Sequence, residues 1–222
     1  MDNNILKNSS KTIVAYFDFD GTITSFDTFI IFLIYVTGWP KFLIKLPRLL
    51  KVAFLYLFKF VNNEVAKEQV LTIMIKGYPE DFIEKKAFKF ALKKIGKYIK
   101  PDVYTRLQYH YEHGHKILVV SANLAIYLRY WASQHKIDGV IGTEIEFKDG
   151  VCTGKLATKN CYAKQKVARI LHYLEDNDLT FDYSYGYGNS QGDRDLLNYV
   201  DEGYWVTRHE ILVWKSHAAS IK

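Results

Sequence analysis

The segment VAYFDFDGTI, residues 14–23, places the strongest constraint on how this chain can fold. An apolar run typical of a buried strand ends in two aspartates, Asp18 and Asp20, with one residue between them. Burying a carboxylate is costly unless another group holds its charge. Alternate residues of an extended chain point to the same side, so both carboxylates share one face. The rest of the sequence must supply what neutralises them.

Short apolar runs and helical patterns alternate along much of the chain. The predicted strands are 12–17, 117–120, 139–143, 182–187 and 204–207, and the predicted helices are 102–113, 124–135, 163–176 and 193–200. This alternation is typical of an α/β fold with a doubly wound, Rossmann-like parallel sheet. Period-two alternation around Asp149-Gly150 also predicts a β-hairpin over 143–157.

A long helical pattern, residues 25–100, interrupts this order after the first strand. A crossover between parallel strands needs only about a dozen residues, so this stretch is too long for a simple connection. We therefore expect a helical cap domain at 25–100, inserted into an α/β core domain made of 1–24 and 101–222.

The cap carries the positive charge of the chain. It holds 14 Lys and Arg against six Asp and Glu, a net charge of +8, whereas the whole chain has +6. Within 29–60 the longest charge-free run, 28–40, is shorter than the ~20 residues that span a bilayer. The basic residues among the Phe, Leu and Tyr of this segment are Lys41, Lys45, Arg48, Lys51 and Lys59. Two interpretations stay open: a basic amphipathic surface for an anionic membrane, or a packed cap helix with its lysines in solvent.

Cysteine usage and the N-terminus favour a reducing compartment. Cys152 and Cys161 define neither a disulfide framework nor a zinc site. The polar N-terminus MDNNILKNSSKT lacks the apolar core of a signal peptide. We expect a cytoplasmic protein, peripheral at the inner face of the membrane if the basic surface is used, and no nucleic-acid partner.

Phosphate-binding features follow the first two strands. Gly21 allows a tight turn after Asp20, and the amides from Gly21 to Thr22 can face an anion. ILVVSAN, 117–123, runs from a strand into Ser121, whose hydroxyl, together with the amides of Ala122 and Asn123, can hold a phosphate. The structural alternative for Ser121 is a helix N-cap.

Two later segments supply a cation and oxygen ligands. Asn160-Cys161 precedes a helix that carries Lys164 and Lys166, and a lysine there can neutralise a nucleophile. YGYGNSQGDRDLL, 185–197, combines a glycine turn with Asn189 and Asp193, which are ligand types that Mg²⁺ accepts. Surface lysines and a capping Asp193 are the structural alternatives, but the four elements together favour a phosphate site with a divalent cation.

This order of motifs resembles the haloacid dehalogenase (HAD) superfamily of phosphatases, and most closely its phosphoserine-phosphatase-like branch, subfamily IB. The resemblance covers 12–24 and 117–207. It implies that Asp18 is the nucleophile that forms an aspartyl-phosphate and that Asp20 is the general acid and base. It implies that Ser121 binds the phosphoryl group. The lysine of the relatives lies five residues after the asparagine–cysteine pair, which points to Lys166 rather than Lys164.

The resemblance also implies a Mg²⁺ ion on the Asp18 carboxylate and the Asp20 backbone carbonyl. The fourth motif departs from the family pattern, because Gly188-Asn189 stands where the relatives have Gly-Asp. Asn189 offers a neutral oxygen, so Asp193 or Asp195 would have to restore the missing charge.

The cap suggests a class of phosphate ester. FDFDGTITSFDTF, which leads into an apolar, basic cap, and the tail YWVTRHEIL are similar to the phosphatidylglycerophosphatase C family. That resemblance implies a lipid-linked phosphate as the substrate. A small soluble phosphate stays open as the alternative. Two other functions stay open: a phosphate-binding module without catalysis, which Asn189 favours, and a phosphotransferase with the same aspartyl-phosphate.

Overall fold

The computed structural model describes residues 12–215, in which a six-stranded sheet carries helices on both faces. The strand order is β3-β2-β1-β6-β7-β8, and β4 pairs with β5 in a separate hairpin. The strands are β1 (Ile13–Phe17), β2 (Lys116–Leu124), β3 (Gly139–Thr143), β4 (Ile145–Lys148), β5 (Val151–Leu156), β6 (Tyr183–Gly188), β7 (Glu202–Val206) and β8 (Ile211–Lys215). The predicted doubly wound α/β fold is confirmed. The expectation drawn from the N-terminus rests on residues that lie outside the described ones.

Eight α-helices lie between these strands in the described part of the chain. They are α1 (Thr28–Thr37), α2 (Trp39–Leu57), α3 (Asn63–Ile75), α4 (Glu80–Lys93), α5 (Pro101–Glu112), α6 (Ala125–Ala132), α7 (Lys164–Asp176) and α8 (Arg194–Tyr199). Each predicted helix of the core is present within a few residues. The first four helices fill the segment that interrupts the strand–helix alternation, and the division into two domains at its ends stays a prediction.

The first strand is buried on both faces, as its sequence predicts. Val14 and Tyr16 point into one apolar cluster, beneath α7 and α8. Ala15 and Phe17 point into the other, larger cluster, which the cap helices complete. Because β1 lies at the centre of the sheet, between β2 and β6, the residue after it is held firmly at the carboxyl edge.

Two strands differ from the prediction. β2 continues to Leu124 rather than ending at residue 120, because the pairing with β3 shifts between Val120 and Leu124. This bulge re-aims the side chains of 121–123, as bulges beside active sites do. β8 was not predicted, since its short run follows the turn 207–210 and pairs antiparallel at an exposed edge.

The predicted hairpin around Asp149-Gly150 is confirmed, and it packs against the cap. Thr72 of α3 donates a hydrogen bond to the carbonyl of Gly154 (3.1 Å). The segment that follows α3 pairs with β5 through Gly77 and Tyr78, each bonded to the backbone of Cys152. The hairpin therefore ties the second half of the chain to the inserted helices.

The long helix α2 is the least buried element of the cap. Only Leu49 and Val52 of its 19 residues are buried. Lys45 donates to the carbonyl of Met74 (2.8 Å) and Lys41 to the hydroxyl of Tyr78 (3.1 Å), so these two basic residues are held within the cap. None of the helices within residues 12–215 combines the length and apolar character needed to cross a membrane.

The contact between β5 and α3 predicts a large cost for Gly154→Ala. Gly154 has a φ of +80°, and a Cβ there would lie 2.7 Å from Thr72 Cα. Gly150 has a similar φ of +72° but no atom within 4 Å of its Cβ position. Both substitutions carry a left-handed backbone cost of about 1–2 kcal/mol, and only Gly154→Ala adds about 1–3 kcal/mol of overpacking. Urea unfolding of both variants measures the difference, and equal losses would contradict this packing.

Candidate active site

Three neighbouring parallel strands bring the predicted site residues to one edge of the sheet. Asp18 follows β1, Ser121 lies in the bulge of β2, and Asn189 follows β6. They open onto a cavity of about 660 Å³ between the sheet and the cap. The predicted residues that line it are Asp18, Asp20, Gly21, Ser121, Ala122, Asn123, Lys166, Asn189 and Asp193. Thr22 is fully buried directly behind this wall.

A buried ammonium group joins two of the predicted carboxylates. Lys166 is 1% exposed, and its Nζ lies 2.6 Å from Asp18 Oδ1 and 2.6 Å from Asp193 Oδ1. Its third hydrogen bond goes to the carbonyl of Val120 (2.8 Å). Burial works against the ammonium, but the two carboxylates outweigh it and raise the pKa of Lys166 above its usual value. Lys164, by contrast, is exposed at the start of α7.

Asp18 is held ionised at neutral pH in a fixed orientation. Burial and the neighbouring Asp193 raise its pKa to about 6, while Lys166 acts in the opposite direction. Its second oxygen accepts a hydrogen bond from the Thr22 hydroxyl (3.1 Å). Lys166 thus supplies the charge compensation that the first aspartate of the segment requires.

The carboxyl group of Asp20 is stabilised by neutral hydrogen-bond donors instead of a cation. The hydroxyl of Thr28 donates to its Oδ1 (2.7 Å), and the side-chain amide of Asn123 donates to its Oδ2. Burial, followed by the nearby carboxylate of Asp27, raises the pKa of Asp20 well above its ordinary value. The two aspartates therefore share one cavity but lie in different environments: a cation faces Asp18, and neutral donors surround Asp20.

Asp193 is saturated with hydrogen bonds. Its Oδ2 accepts from the amides of Asn189 (3.1 Å) and Ser190 (2.8 Å) and from the Ser190 hydroxyl (2.7 Å). With Lys166 these make four donors, which fill the about four acceptor positions of a carboxylate. Asp193 takes part in a capping box with Ser190 and also holds Lys166, so the capping interpretation applies, while its role as a metal ligand stays a prediction.

The oxygens of Asp18 and Asn189 converge on one hydroxyl. Thr22 Oγ1 lies 3.1 Å from Asp18 Oδ2 and 3.0 Å from Asn189 Oδ1. The single hydroxyl hydrogen of Thr22 can bind only one of these two oxygens at a time, so the other oxygen remains available to a ligand. One carboxylate and neutral oxygens fit Mg²⁺, which takes its remaining ligands from water and phosphate. The described residues hold no cluster of three or more His, Cys, Asp or Glu side chains suited to a metal.

Gly21 allows this convergence. Its φ is +77°, and a Cβ would lie 2.2 Å from Asn189 Nδ2. The turn after Asp20 therefore needs glycine both for its backbone conformation and for the close approach of the Asn189 amide. The carbonyl of Gly21 is fixed from the other side by Lys100 (2.5 Å).

Ser121 is a strand residue and not a helix N-cap. Its Oγ accepts from the amide of Asn123 (3.1 Å), and α6 begins only at Ala125. Within the described residues the Ser121 hydroxyl donates to no protein acceptor. Its hydrogen is therefore free for a ligand in the cavity.

Sequence reasoning missed residues that other elements bring to the site. Lys67 of α3 donates to the carbonyl of Ala122 and to Asn160 Oδ1 (2.9 Å), and burial lowers its pKa to about 8. Thr28 of α1 holds Asp20. Both belong to cap helices, and no local pattern marks them. Asn160 accepts a hydrogen bond from Lys67, but the Asn160-Cys161 pair gives no indication of this contact in the sequence.

A family model described as haloacid dehalogenase-like hydrolase matches residues 15–198, which include every predicted site residue. The chain belongs to this family. Membership of the HAD superfamily, predicted from the motifs, is confirmed.

Relatives and solved structures agree with this membership. Protein CicA of Caulobacter vibrioides is 31% identical over 201 residues, covering 89% of this chain and 88% of CicA. A Bordetella pertussis Tohama I protein of unknown function has a TM-score of 0.77 at 21% identity, covering 87% of this chain and 89% of that one. A phosphoserine phosphatase solved as a phospho-aspartyl intermediate analogue has a TM-score of 0.60 at 16% identity, covering 87% and 86%. The fold of this HAD protein is therefore that of the phosphoserine-phosphatase-like branch.

The buried ion triad predicts that Lys166→Met destabilises the protein in a pH-dependent way. Removing one partner of a buried ion pair costs about 3–5 kcal/mol, since the remaining charges are left uncompensated. Without the ammonium, Asp18 and Asp193 gain raised pKa values in the folded state, which then binds more protons than the unfolded chain. Stability therefore falls as pH rises, and the deficit is larger at about pH 8 than at about pH 5.

Urea unfolding in the presence of EDTA at both pH values measures this deficit. Lys164→Met is the matched control, because it removes an exposed lysine from the same helix and should change stability by less than about 0.5 kcal/mol. A pH-independent deficit, or an equal one for Lys164→Met, would show that Lys166 does not hold the two carboxylates.

Proposed function

We propose that this HAD protein is a Mg²⁺-dependent phosphomonoester hydrolase that works through an aspartyl-phosphate on Asp18. One observation carries the proposal: Asp18, ionised and fixed by Lys166, shares a cavity with Asp20, whose raised pKa lets it hold a proton. Two carboxyl groups with different environments can act as nucleophile and as acid at the same pH.

The first step transfers the phosphoryl group to the protein. A carboxylate oxygen of Asp18 attacks phosphorus, the bond between phosphorus and the ester oxygen breaks, and Asp20 gives its proton to the leaving oxygen. In the second step Asp20, now ionised, takes a proton from water as the water oxygen attacks phosphorus. The bond from phosphorus to Asp18 breaks, which releases inorganic phosphate and restores both carboxyl groups.

The surrounding residues hold the reacting groups. The free hydroxyl hydrogen of Ser121, with the amides of Ala122 and Asn123, is suited to donate to phosphoryl oxygens. Lys166 orients Asp18 and offsets the charge that gathers on the phosphoryl group. Asp193 positions Lys166, because its own oxygens are already occupied.

Magnesium would be held by Asp18 and Asn189, whose side-chain oxygens meet at Thr22, and by the Asp20 backbone carbonyl that the family resemblance implies. It would neutralise negative charge on the phosphoryl oxygens. Because Asn189 is neutral, this ligand set carries one charge fewer than a set with aspartate at that position. The saturation of Asp193 leaves it outside the set, in contrast to the metal role that the sequence predicted for it.

The substrate that fits the cavity is a phosphate ester with an apolar tail, such as a lipid-linked phosphate. Opposite the aspartates, α2 lines the cavity with Phe42, Leu46, Leu49, Leu50 and Ala53. These side chains offer no hydrogen bond to a small polar alcohol, but they can cover methylene groups. A tail bound here would leave the molecule along the exposed side of α2.

The proposal predicts that Asp18→Asn abolishes turnover of p-nitrophenyl phosphate. Loss of a nucleophile typically lowers kcat by about 10³-fold or more, and Asn keeps the shape of the side chain. Asp176→Asn, which changes an exposed carboxylate of α7, is the control and should retain activity. Activity of the unmodified protein should vanish in EDTA and return with Mg²⁺.

Substantial turnover by Asp18→Asn would refute its role as nucleophile. Binding of phosphate without any turnover by the unmodified protein would favour the binding module. Preferential transfer to an added alcohol over water would assign a phosphotransferase.

The apolar wall predicts that kcat/KM rises with the chain length of alkyl phosphates. Each methylene buried against α2 contributes up to about 0.8 kcal/mol, or about fourfold, until the cavity is filled. Leu46→Gln should flatten this series, whereas Leu43→Gln, an exposed leucine of the same helix outside the cavity lining, should not. A flat series with the unmodified protein would favour small soluble phosphates.

A further inference from the structure

A second cavity lies on the outer side of α2, facing away from the active site. It has a volume of about 580 Å³ and runs between α2, α3 and strand β5. Val52 forms part of the wall of both cavities, so α2 is the partition between them. We call this second cavity the outer groove.

The outer groove is strongly basic. Four cations line it, Arg48 and Lys51 from α2, Lys76 after α3 and Lys155 from β5, against one carboxylate, Glu68. Glu68 is already bound to Lys155 (3.0 Å) and to the amide of Leu156 (3.1 Å). The side chains of Arg48, Lys51 and Lys76 form no ion pair or hydrogen bond with other residues of the described chain. Three uncompensated cations therefore surround one opening.

The floor of the same groove is apolar. Val52 and Leu55 of α2 lie across from Val65 and Ile73 of α3. Val65 lines the groove, and 38% of its surface is exposed to solvent there. A small hydrated anion would satisfy the cations but would leave this floor uncovered, whereas an anion that carries a hydrocarbon chain would cover both.

Exposed apolar side chains continue from the groove along α2 and beyond its end. Ile44, one helical turn before Arg48, is 79% exposed, and Leu57 is 75% exposed. Phe58 and Phe60 follow in the turn after the helix, each more than half exposed. Apolar residues of this kind beside cations suit the boundary between headgroups and acyl chains.

We infer that the outer groove binds an anionic phospholipid of a bilayer surface. The headgroup phosphate lies among Arg48, Lys51 and Lys76, and an acyl chain covers Leu55 and Val65. The inference goes beyond the proposed hydrolase activity and does not rest on it. It also differs from the expectation that all five basic residues of 29–60 face the membrane, since Lys41 and Lys45 are bonded within the cap.

Sedimentation of the full chain with vesicles tests the inference. Vesicles of phosphatidylcholine alone are compared with vesicles that also contain phosphatidylglycerol, each at low and at high salt. The protein should pellet with the anionic vesicles at low salt, and salt should weaken this binding. No binding to anionic vesicles, or equal binding to neutral ones, would overturn the inference.

Matched variants separate the groove from general positive charge. Lys51→Gln/Lys76→Gln removes two groove cations that come from different elements. Lys89→Gln/Lys93→Gln removes two exposed lysines of α4, outside the groove. Each basic residue near an anionic surface contributes about fivefold in affinity, so the groove pair should lose about thirtyfold. The α4 pair should lose much less, and an equal loss would overturn the inference.

The apolar floor and the source of the phosphate are tested separately. Leu55→Gln, on the floor, should weaken vesicle binding without altering turnover of p-nitrophenyl phosphate, because Leu55 is not part of the active-site lining. Unfolding midpoints check that each variant is folded. Soluble glycerophosphate should fail to compete with the vesicles at millimolar concentration; full competition would show that the groove takes a free phosphate and would overturn the lipid assignment.

Discussion

The buried ammonium of Lys166 is the interaction on which the site depends. It lies between Asp18 and Asp193, with both N–O distances at 2.6 Å, and its third hydrogen bond goes to the backbone of β2. One side chain of α7 thus joins the carboxyl ends of β1, β2 and β6. Either carboxylate alone would be costly in this environment, and the ammonium without them would lose its charge. The same triad that makes the edge of the sheet stable also keeps Asp18 ionised and oriented, so stability and chemistry have one source.

Around this centre, polar contacts join the helices of the cap to the residues at the edge of the sheet. Lys67 reaches from α3 to Ala122 and Asn160, and Thr28 reaches from α1 to Asp20. The hairpin β4–β5 fixes the opposite side of α3. α2 receives much less of this support. It separates the active-site cavity from the outer groove with one buried leucine and one buried valine, and the rest of its apolar surface faces solvent. A ligand on either side of α2 would therefore act on a wall that both cavities share.

Particular elements explain how far sequence reasoning reached. β1 was predictable because its five-residue apolar run, Ile13–Phe17, is buried on both faces and can be recognised without its neighbours. The hairpin was predictable because Asp149 and Gly150, both at positive φ, are the residues that a tight turn prefers. β8 was missed because its strand character comes from pairing with β7 and not from a local pattern. Ser121 was placed near phosphate by its position after a strand, but the bulge that frees its hydroxyl depends on the shifted register with β3. The metal role predicted for Asp193 rests on its side-chain type, which gives no sign of the four hydrogen-bond donors around it.

The sequence by itself determined the strands other than β8, the order in which the candidate site residues follow them, and the family, because periodicity and short motifs depend on neighbours in the chain. The spacing from Asn160-Cys161, compared with that of the relatives, also pointed to Lys166 rather than Lys164. Only the tertiary structure decided which charges meet, since Lys166 is 148 residues from Asp18 and Lys67 is 55 residues from Ala122. It decided, too, that α2 has a cavity on each side, because the burial of a helix face depends on what packs against it. Contacts of this kind follow from the docking of whole elements, and a dispersed set such as Arg48, Lys51 and Lys76 leaves no local pattern in the chain.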